Sequence, residues 1–186
     1  PDAQAQTALA WQESAWPWTA YGPVVMAAVA AGVPVLGGNL PRSQMRAAMA
    51  DAAWDGHLPA AALSRQYAAL REGHCGLLPE SQIGPMARIQ IARDAAMAQT
   101  AREAMRPGQA VLLVAGSGHV LRSIGVPTHW SANIKSKVVV AQAGKAQTAT
   151  TLIAKDADAV VETFALPSRD ACAELRQQWQ RPAAAR

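Results

Sequence analysis

The stretch Val111-Leu112-Leu113-Val114-Ala115-Gly116-Ser117-Gly118-His119 decides how this chain is read. Five apolar residues in an unbroken run, closed by a glycine-rich turn, predict a strand buried on both faces, the kind found in parallel sheets. Working outward, Val138-Val139-Val140 and Ala159-Val160-Val161 read as further strands, and Val33-Pro34-Val35-Leu36 as a short one with its proline at the start or on an edge. Helices fill the intervals. One is expected over Asp2–Ser14, broken at Trp16-Pro17-Trp18 because the residue before a proline avoids the helical region. Others are expected at Val24–Ala31, with Pro23 in its first turn and Gly32 ending it, at Ser43–Ala53, and at Pro59–Gly73, where Leu63, Tyr67 and Leu70 keep helical spacing. After a loop at His74–Gly84, Pro85 opens the longest helix, which runs to Met105, and a last helix covers Asp170–Trp179. Strands alternating with helices predict an α/β class, with a mostly parallel sheet and helices on its two faces. No repeat or linker interrupts the pattern, so one domain is expected over 1–180, followed by a frayed tail at 181–186.

Composition narrows the function classes. The hydrophobic fraction is 51%, but alanine dominates it and aromatics are few (6 Trp, 2 Tyr, 1 Phe), so helix should outweigh strand. No apolar run reaches the roughly 18 residues that span a membrane. The net charge of +4 comes from scattered Lys and Arg, with no basic run and no aromatics interleaved among them, which argues against nucleic acid as a partner. It favours an anionic small ligand or a membrane surface instead. Cys75 and Cys172 form no Cys-x-x-Cys pair, which disfavours a zinc ribbon, a thioredoxin motif and covalent c-type haem attachment; a disulfide and two buried thiols both stay open. The chain opens on Pro1 with no basic, apolar leader, which fits a mature chain or one from whose front a segment has been removed.

Ligands of such sheets bind beyond the carboxyl ends of the strands. Two strand ends qualify: Gly38-Asn39-Leu40-Pro41-Arg42 and Gly116-Ser117-Gly118-His119. The second lacks the Lys-Ser/Thr of a phosphate-binding loop, has Leu121 where a dinucleotide fingerprint has its third glycine, and has Ala115 where a nucleophile elbow has glycine. What remains is a tight turn presenting an imidazole, which can ligate a metal, hold haem iron or shuttle a proton. A histidine bonding nearby backbone at a helix start is an equally open reading. On the longest helix Met86, Gln90, Arg93 and Met97 form one stripe with Asp94 beside it. Gln and Arg on a buried stripe imply partners or a ligand, whereas composition alone favours Arg93 and Asp94 on the solvent side. His74-Cys75, at a helix end, reads as a weak metal signal beside a capping or core role. Tyr67 reads as core or as a tyrosinate for haem iron, and His57 and His129 have little context. Trp11, Trp16 and Trp18, near Tyr21, read as packing or as the lining of an apolar pocket.

Taken in order, Trp16-x-Trp18-x-x-Tyr21-x-Pro23, Asn39-Leu40-Pro41-Arg42, His74-Cys75-Gly76, Met86, Gln90-x-x-Arg93-Asp94-x-x-Met97-Ala98, Gly116-x-Gly118-His119 and Gly125-Val126-Pro127 are similar to the ChaN-type haem-binding uptake proteins. The resemblance spans about residues 11 to 172. It implies a three-layer α/β/α fold shared with erythromycin esterases and the Tiki and TraB proteins. It also implies a bacterial envelope protein, periplasmic or in the outer membrane and often lipid-anchored, that handles haem during iron acquisition and pairs around it as a homodimer. The superfamily's late Gly-x-x-His motif is matched by Gly116 to His119, but its Gly-Glu-x-His motif on the first strand has no counterpart. That departure predicts a domain truncated before Asp2, lacking one strand and half of the ancestral active site. Asp170-Ala171-Cys172 stands where the family tends to have Asp-Pro-Cys.

Two functions follow from this resemblance. The favoured one is a haem-binding protein and not an enzyme, with an axial ligand among His119, His74 and Tyr67, and Arg42 and Arg93 at the propionates. Gln90, Met97, Asn39, Gly116 and Gly118 complete the expected cofactor site, and His119 and His74 are the metal candidates. The alternative is a metal-dependent hydrolase of the esterase or Tiki kind, with His119 in its active site. Loss of a central strand exposes sheet edge and apolar surface, which predicts self-association.

Overall fold

The computed structural model describes residues 1–13, 16–144, 155–165 and 170–180. Ser14, at the end of the expected first helix, and the expected frayed tail lie outside them. The chain divides into two units, Pro1–Gly38 and Asn39–Arg186.

In the first unit α1 spans Asp2–Ala8 and α2 spans Trp18–Ala30. The second helix starts earlier than the position of Pro23 suggests. Pro17 stands at its N-cap, and the Glu13 carboxylate accepts the Trp18 N–H at 3.1 Å, satisfying a donor that the helix itself cannot. Pro23 therefore lies inside the helix, where it costs one backbone bond. The aromatic residues do cluster: Trp11 meets Trp18 edge-on at 5.0 Å and Trp16 lies 4.3 Å from Tyr21. The unit's cavity of about 350 Å³ is lined by Ala5, Ala8, Leu9, Val29 and 32–35, not by tryptophan. Val33–Leu36 forms no strand, and Val33 and Leu36 are exposed.

The second unit runs α3 (Arg42–Ala50), a 3-10 turn (Ala52–Gly56), α4 (Ala60–Gly73), α5 (Glu80–Ala104), α6 (Ser117–Val120), a second 3-10 turn (Val126–His129), β1 (Val139–Ala143), β2 (Ala159–Thr163) and α7 (Ala171–Gln180). The helix expected to reach Ala53 stops at Ala50, because the Asp51 carboxylate takes the Ala53 N–H at 2.9 Å and starts a tighter turn. α5 begins at Glu80 behind Pro79, so part of the expected loop is helix and Pro85 is interior rather than first. α7 starts as expected, with the Asp170 carboxylate accepting the Ala173 N–H at 2.8 Å.

The helix-rich α/β class expected from the sequence is what the structure has. β1 and β2 pair in parallel, in a register running from Val139↔Ala159 to Ala143↔Thr163. Val140 and Val160 turn to the core, whereas Val139, Ala141, Ala159 and Val161 stay exposed on the other face. The run that opened the reading, Val111–Ala115, is a correction: it carries no ladder, and Leu112 is 85% and Val114 56% exposed. An apolar run becomes a strand only beside a partner, and none is paired with it among the described residues.

α5 is the spine of this unit. Ile83, Ala87, Ile91, Asp94, Ala98 and Ala101 are all buried and recur at i+4, i+8, i+11, i+15 and i+18, the spacing of one helical face. Ile83 and Ala87 pack with Leu70 and Tyr67. Ile91 joins Leu58, Ala62, Leu121, Ile124, Val138 and Val140. Met97 and Ala98 close on Val126, with Leu113, Ala115 and Trp130 against them. One helix thus threads three apolar clusters.

Cys75 and Cys172 are disulfide-bonded, with Cα atoms 5.6 Å apart. The bond ties α7 to the end of α4. There Gly76 N–H reaches the Arg71 carbonyl at 2.8 Å and Cys75 N–H the Glu72 carbonyl at 2.9 Å, which puts Cys75 at the left-handed capping position with φ 55°. Glycine normally holds that position, and a side chain there costs about 1 kcal/mol. The disulfide offsets this cost. It closes a 97-residue loop, and the lost freedom of the unfolded chain is worth roughly 4–5 kcal/mol. Urea unfolding with and without reductant should therefore show a lower midpoint on reduction and an unfolding free energy smaller by about 2–5 kcal/mol. Coincident curves would contradict this.

Candidate functional site

His119 sits on the single turn of α6, whose first residue follows Gly116. The chain then folds back sharply. Leu121 and Ile124 enter the core, and between them Arg122 and Ser123 join a polar network. Arg65 donates to Ser123 Oγ at 2.6 Å and to Asp156 at 2.5 Å, and Ser123 Oγ–H donates to the same carboxylate at 2.9 Å. Arg122 binds Asp158 and the Ser136 carbonyl, the latter at 3.0 Å. Asp158 also accepts the Val138 N–H at 2.6 Å, and this bond with Arg122 holds its carboxyl below the usual carboxylate range. These links fix residues 121–125 to α4 and to the approaches of both strands.

The return places Gly125 directly behind His119. A Cβ on Gly125 would stand 2.2 Å from the His119 carbonyl oxygen and 3.0 Å from that of Gly118, closer than atoms can pack. Only glycine permits this approach.

The His119 ring points at α5. Its Nδ1–H donates to Asp94 Oδ1 at 2.6 Å, where Asp94 is only 2% exposed and the His119 side chain 18%. The expectation that Asp94 faces solvent is overturned. Burial pushes its carboxyl above the usual range, and the His119 N–H and the nearby Arg93 oppose that shift. With Nδ1 committed, Nε2 is the ring's free ligand position, and it makes no hydrogen bond to the described protein. Next along the helix, Arg93 Nε donates to Asn39 Oδ1 at 2.9 Å and its Nη1 lies 3.4 Å from Gln90 Oε1. Among the described residues Arg93 therefore hydrogen-bonds two neutral partners and no carboxylate.

The other candidates occupy different places. His74 caps α4, its Nδ1–H donating to the Leu70 carbonyl at 2.8 Å. Tyr67 packs with Ile83 and Ala87, seven to eleven residues before Asp94 and thus about 10–16 Å along the helix. Met97 is core, Arg42 is the exposed first residue of α3, Gly116 is the N-cap of α6 and Gly118 is its second residue. Among the described residues no cluster of three or more His, Cys, Asp or Glu is set to hold a metal ion. Sequence reasoning missed the role of Gly125, which has no side chain to notice, and the pairing of Asp94 with His119. It also missed that His57 and His129 stack face to face, with ring centroids 3.8 Å apart. Asp94 had a signal: it is the one charge in the line Ile83, Ala87, Ile91, Ala98, Ala101.

Fold and site together define an α/β protein in which a buried carboxylate orients an imidazole and the adjacent residue on the same helix is an arginine. The chain belongs to the haem-binding uptake proteins of the ChaN type, Tiki superfamily, whose pattern matches residues 2–129. It also resembles the solved structure of cofacial heme binding to ChaN of Campylobacter jejuni, with 25% identity and a TM-score of 0.65 over 86% of this chain. The chain spans 62% of the length of that protein. Among curated proteins none matches.

The close contact at Gly125 gives a prediction. Gly125→Ala should force His119 to move and cost about 1–3 kcal/mol in urea unfolding. Gly118→Ala, where a Cβ meets open space, should stay within about 0.5 kcal/mol. His119 ring resonances should shift only in the first variant; equal effects in both would remove the contact's significance.

Proposed function

We propose that this chain is a haem-binding protein of the bacterial envelope that serves haem and iron uptake, with His119 as the axial ligand. The observation that carries the reading is the fixed imidazole. Asp94 holds Nδ1, so Nε2 carries the lone pair on a ring that is partly exposed. The donor set fits haem, which brings an iron with an open axial position and two propionates. An imidazole suits the iron, and a guanidinium with only neutral partners suits a carboxylate. Gln90 and Asn39 brace Arg93 for that role. The family to which the chain belongs supports the ligand, and the disulfide fits the oxidising compartment that an envelope location supplies. No helix among the described residues is long and apolar enough to cross a membrane.

A haemin titration of the intact protein tests the reading. A Soret shift is expected, with affinity falling at least about tenfold in His119→Ala, equivalent to about 1.4 kcal/mol. No shift with the wild-type chain ends the proposal. A shift unchanged in His119→Ala but lost in the His74 or Tyr67 variants corrects only the ligand.

Pairing into a homodimer is part of the same proposal. Parallel sheets are normally covered on both faces, yet Val139 and Val161 are 57% and 50% exposed on one face of this one. A second copy offers the matching apolar surface. Light scattering should give twice the chain mass, reverting toward the monomer in Val161→Glu; a clean monomer at high concentration refutes pairing.

A further inference from the structure

We propose that the stacked imidazoles of His57 and His129 are a proton-sensitive latch on the turn that carries His119, closed at neutral pH and loosened in acid. The consequence for haem rests on the reading of His119 as its ligand; the latch itself does not. The two rings are nearly parallel, at 7°, and both are part-buried. His57 Nε2 lies 2.9 Å from Thr128 Oγ1, and the Thr128 O–H donates to the Gly125 carbonyl at 2.8 Å. The hydroxyl's proton is thereby used, so His57 Nε2–H is the donor to it. This chain of bonds ends on Gly125, the residue pressed against the His119 carbonyl. His129 closes the same 3-10 turn, and its Nε2 is buried with no hydrogen-bond partner among the described residues.

Among the described residues the surroundings offer no free counter-charge. From the elements around the pair come Asp51, Asp55, Arg88, Asp94, Arg102 and His119. Asp55 is held by Arg88 at 2.7 Å, Asp94 by His119 at 2.6 Å, and Asp51 caps the Ala53 N–H. Arg102 shares a cavity of about 220 Å³ with His129 and would repel a proton there. A proton on either ring therefore puts an uncompensated charge 3.8 Å from its neighbour, in a water-poor place. Burial holds His57 below its ordinary value, and burial followed by the nearness of His57 brings His129 down to about 4. The sign follows directly. A histidine depressed in the closed state is neutral there and takes its proton more readily once the turn opens. The closed turn is fully favoured above the ordinary value of 6.5 and loses ground as pH falls from there toward 4, by about tenfold per unit.

Amide hydrogen exchange of the ligand-free full chain over 119–130, corrected for intrinsic rates, tests this at pH 7.5 and 5.5. Opening should rise about tenfold in the wild type and clearly less in His129→Phe, which keeps a flat ring but leaves only His57 to titrate. An equal rise in the variant, or none in the wild type, overturns the latch. Should the variant not fold, the ring-proton titration of His129 in the wild-type chain decides. A midpoint near 4 supports the proposal and one at 6.5 or above overturns it. Haemin titration of the same proteins separates the two readings. Acid opening without any haemin binding upholds the latch and refutes the ligand assignment.

Discussion

A carboxylate in the middle of an apolar helix face must be answered, and the bond from His119 Nδ1–H to Asp94 answers it. Asp94 sits between Ile91, which belongs to one apolar cluster, and Ala98, which belongs to another. Left unpaired, a group that deep costs several kcal/mol. The fold therefore has a stake in bringing His119 to α5, and the polar network at residues 122–123 and the close pass of Gly125 are how the chain delivers it. What stabilises the core and what exposes a free imidazole nitrogen are one bond. A change that frees Asp94 therefore disturbs both the core and the orientation of the imidazole.

The same helix explains why the site is rigid. α5 contributes to three clusters along its length, so its middle cannot shift without repacking both ends. Arg93 is displaced from the buried face by a single residue and remains partly exposed, braced by Asn39 and Gln90. The guanidinium and the carboxylate that orients the imidazole thus share one rigid rod, whereas the imidazole itself reaches that rod from α6 through its bond to Asp94.

The α/β class, β1, β2, α4 and α7 were readable because each rests on local pattern: apolar runs, a capping aspartate, helical spacing. Val111–Ala115 was misread because its composition is that of a strand while strand formation depends on a neighbour far away in sequence. Pro23 and Pro85 misled for a related reason. Each favours a helix start, but Glu13 capping Trp18 and Pro79 at the other N-cap begin those helices earlier. The expected stripe of Met86, Gln90, Arg93 and Met97 lay one step round the helix from the buried face, which runs through Ile83, Ala87, Ile91 and Asp94. His119 was legible from its glycine turn. Its partner was not, because no spacing rule joins residues 25 apart on different elements.

The disulfide has a topological consequence. Everything between Cys75 and Cys172 lies within one covalent ring, and that ring contains α5, α6, both strands, and hence Asp94, Arg93 and His119. A single backbone cut anywhere in it leaves both pieces on one molecule. The candidate site is thus a closed circuit, which a protease in a hostile compartment can nick without scattering its parts.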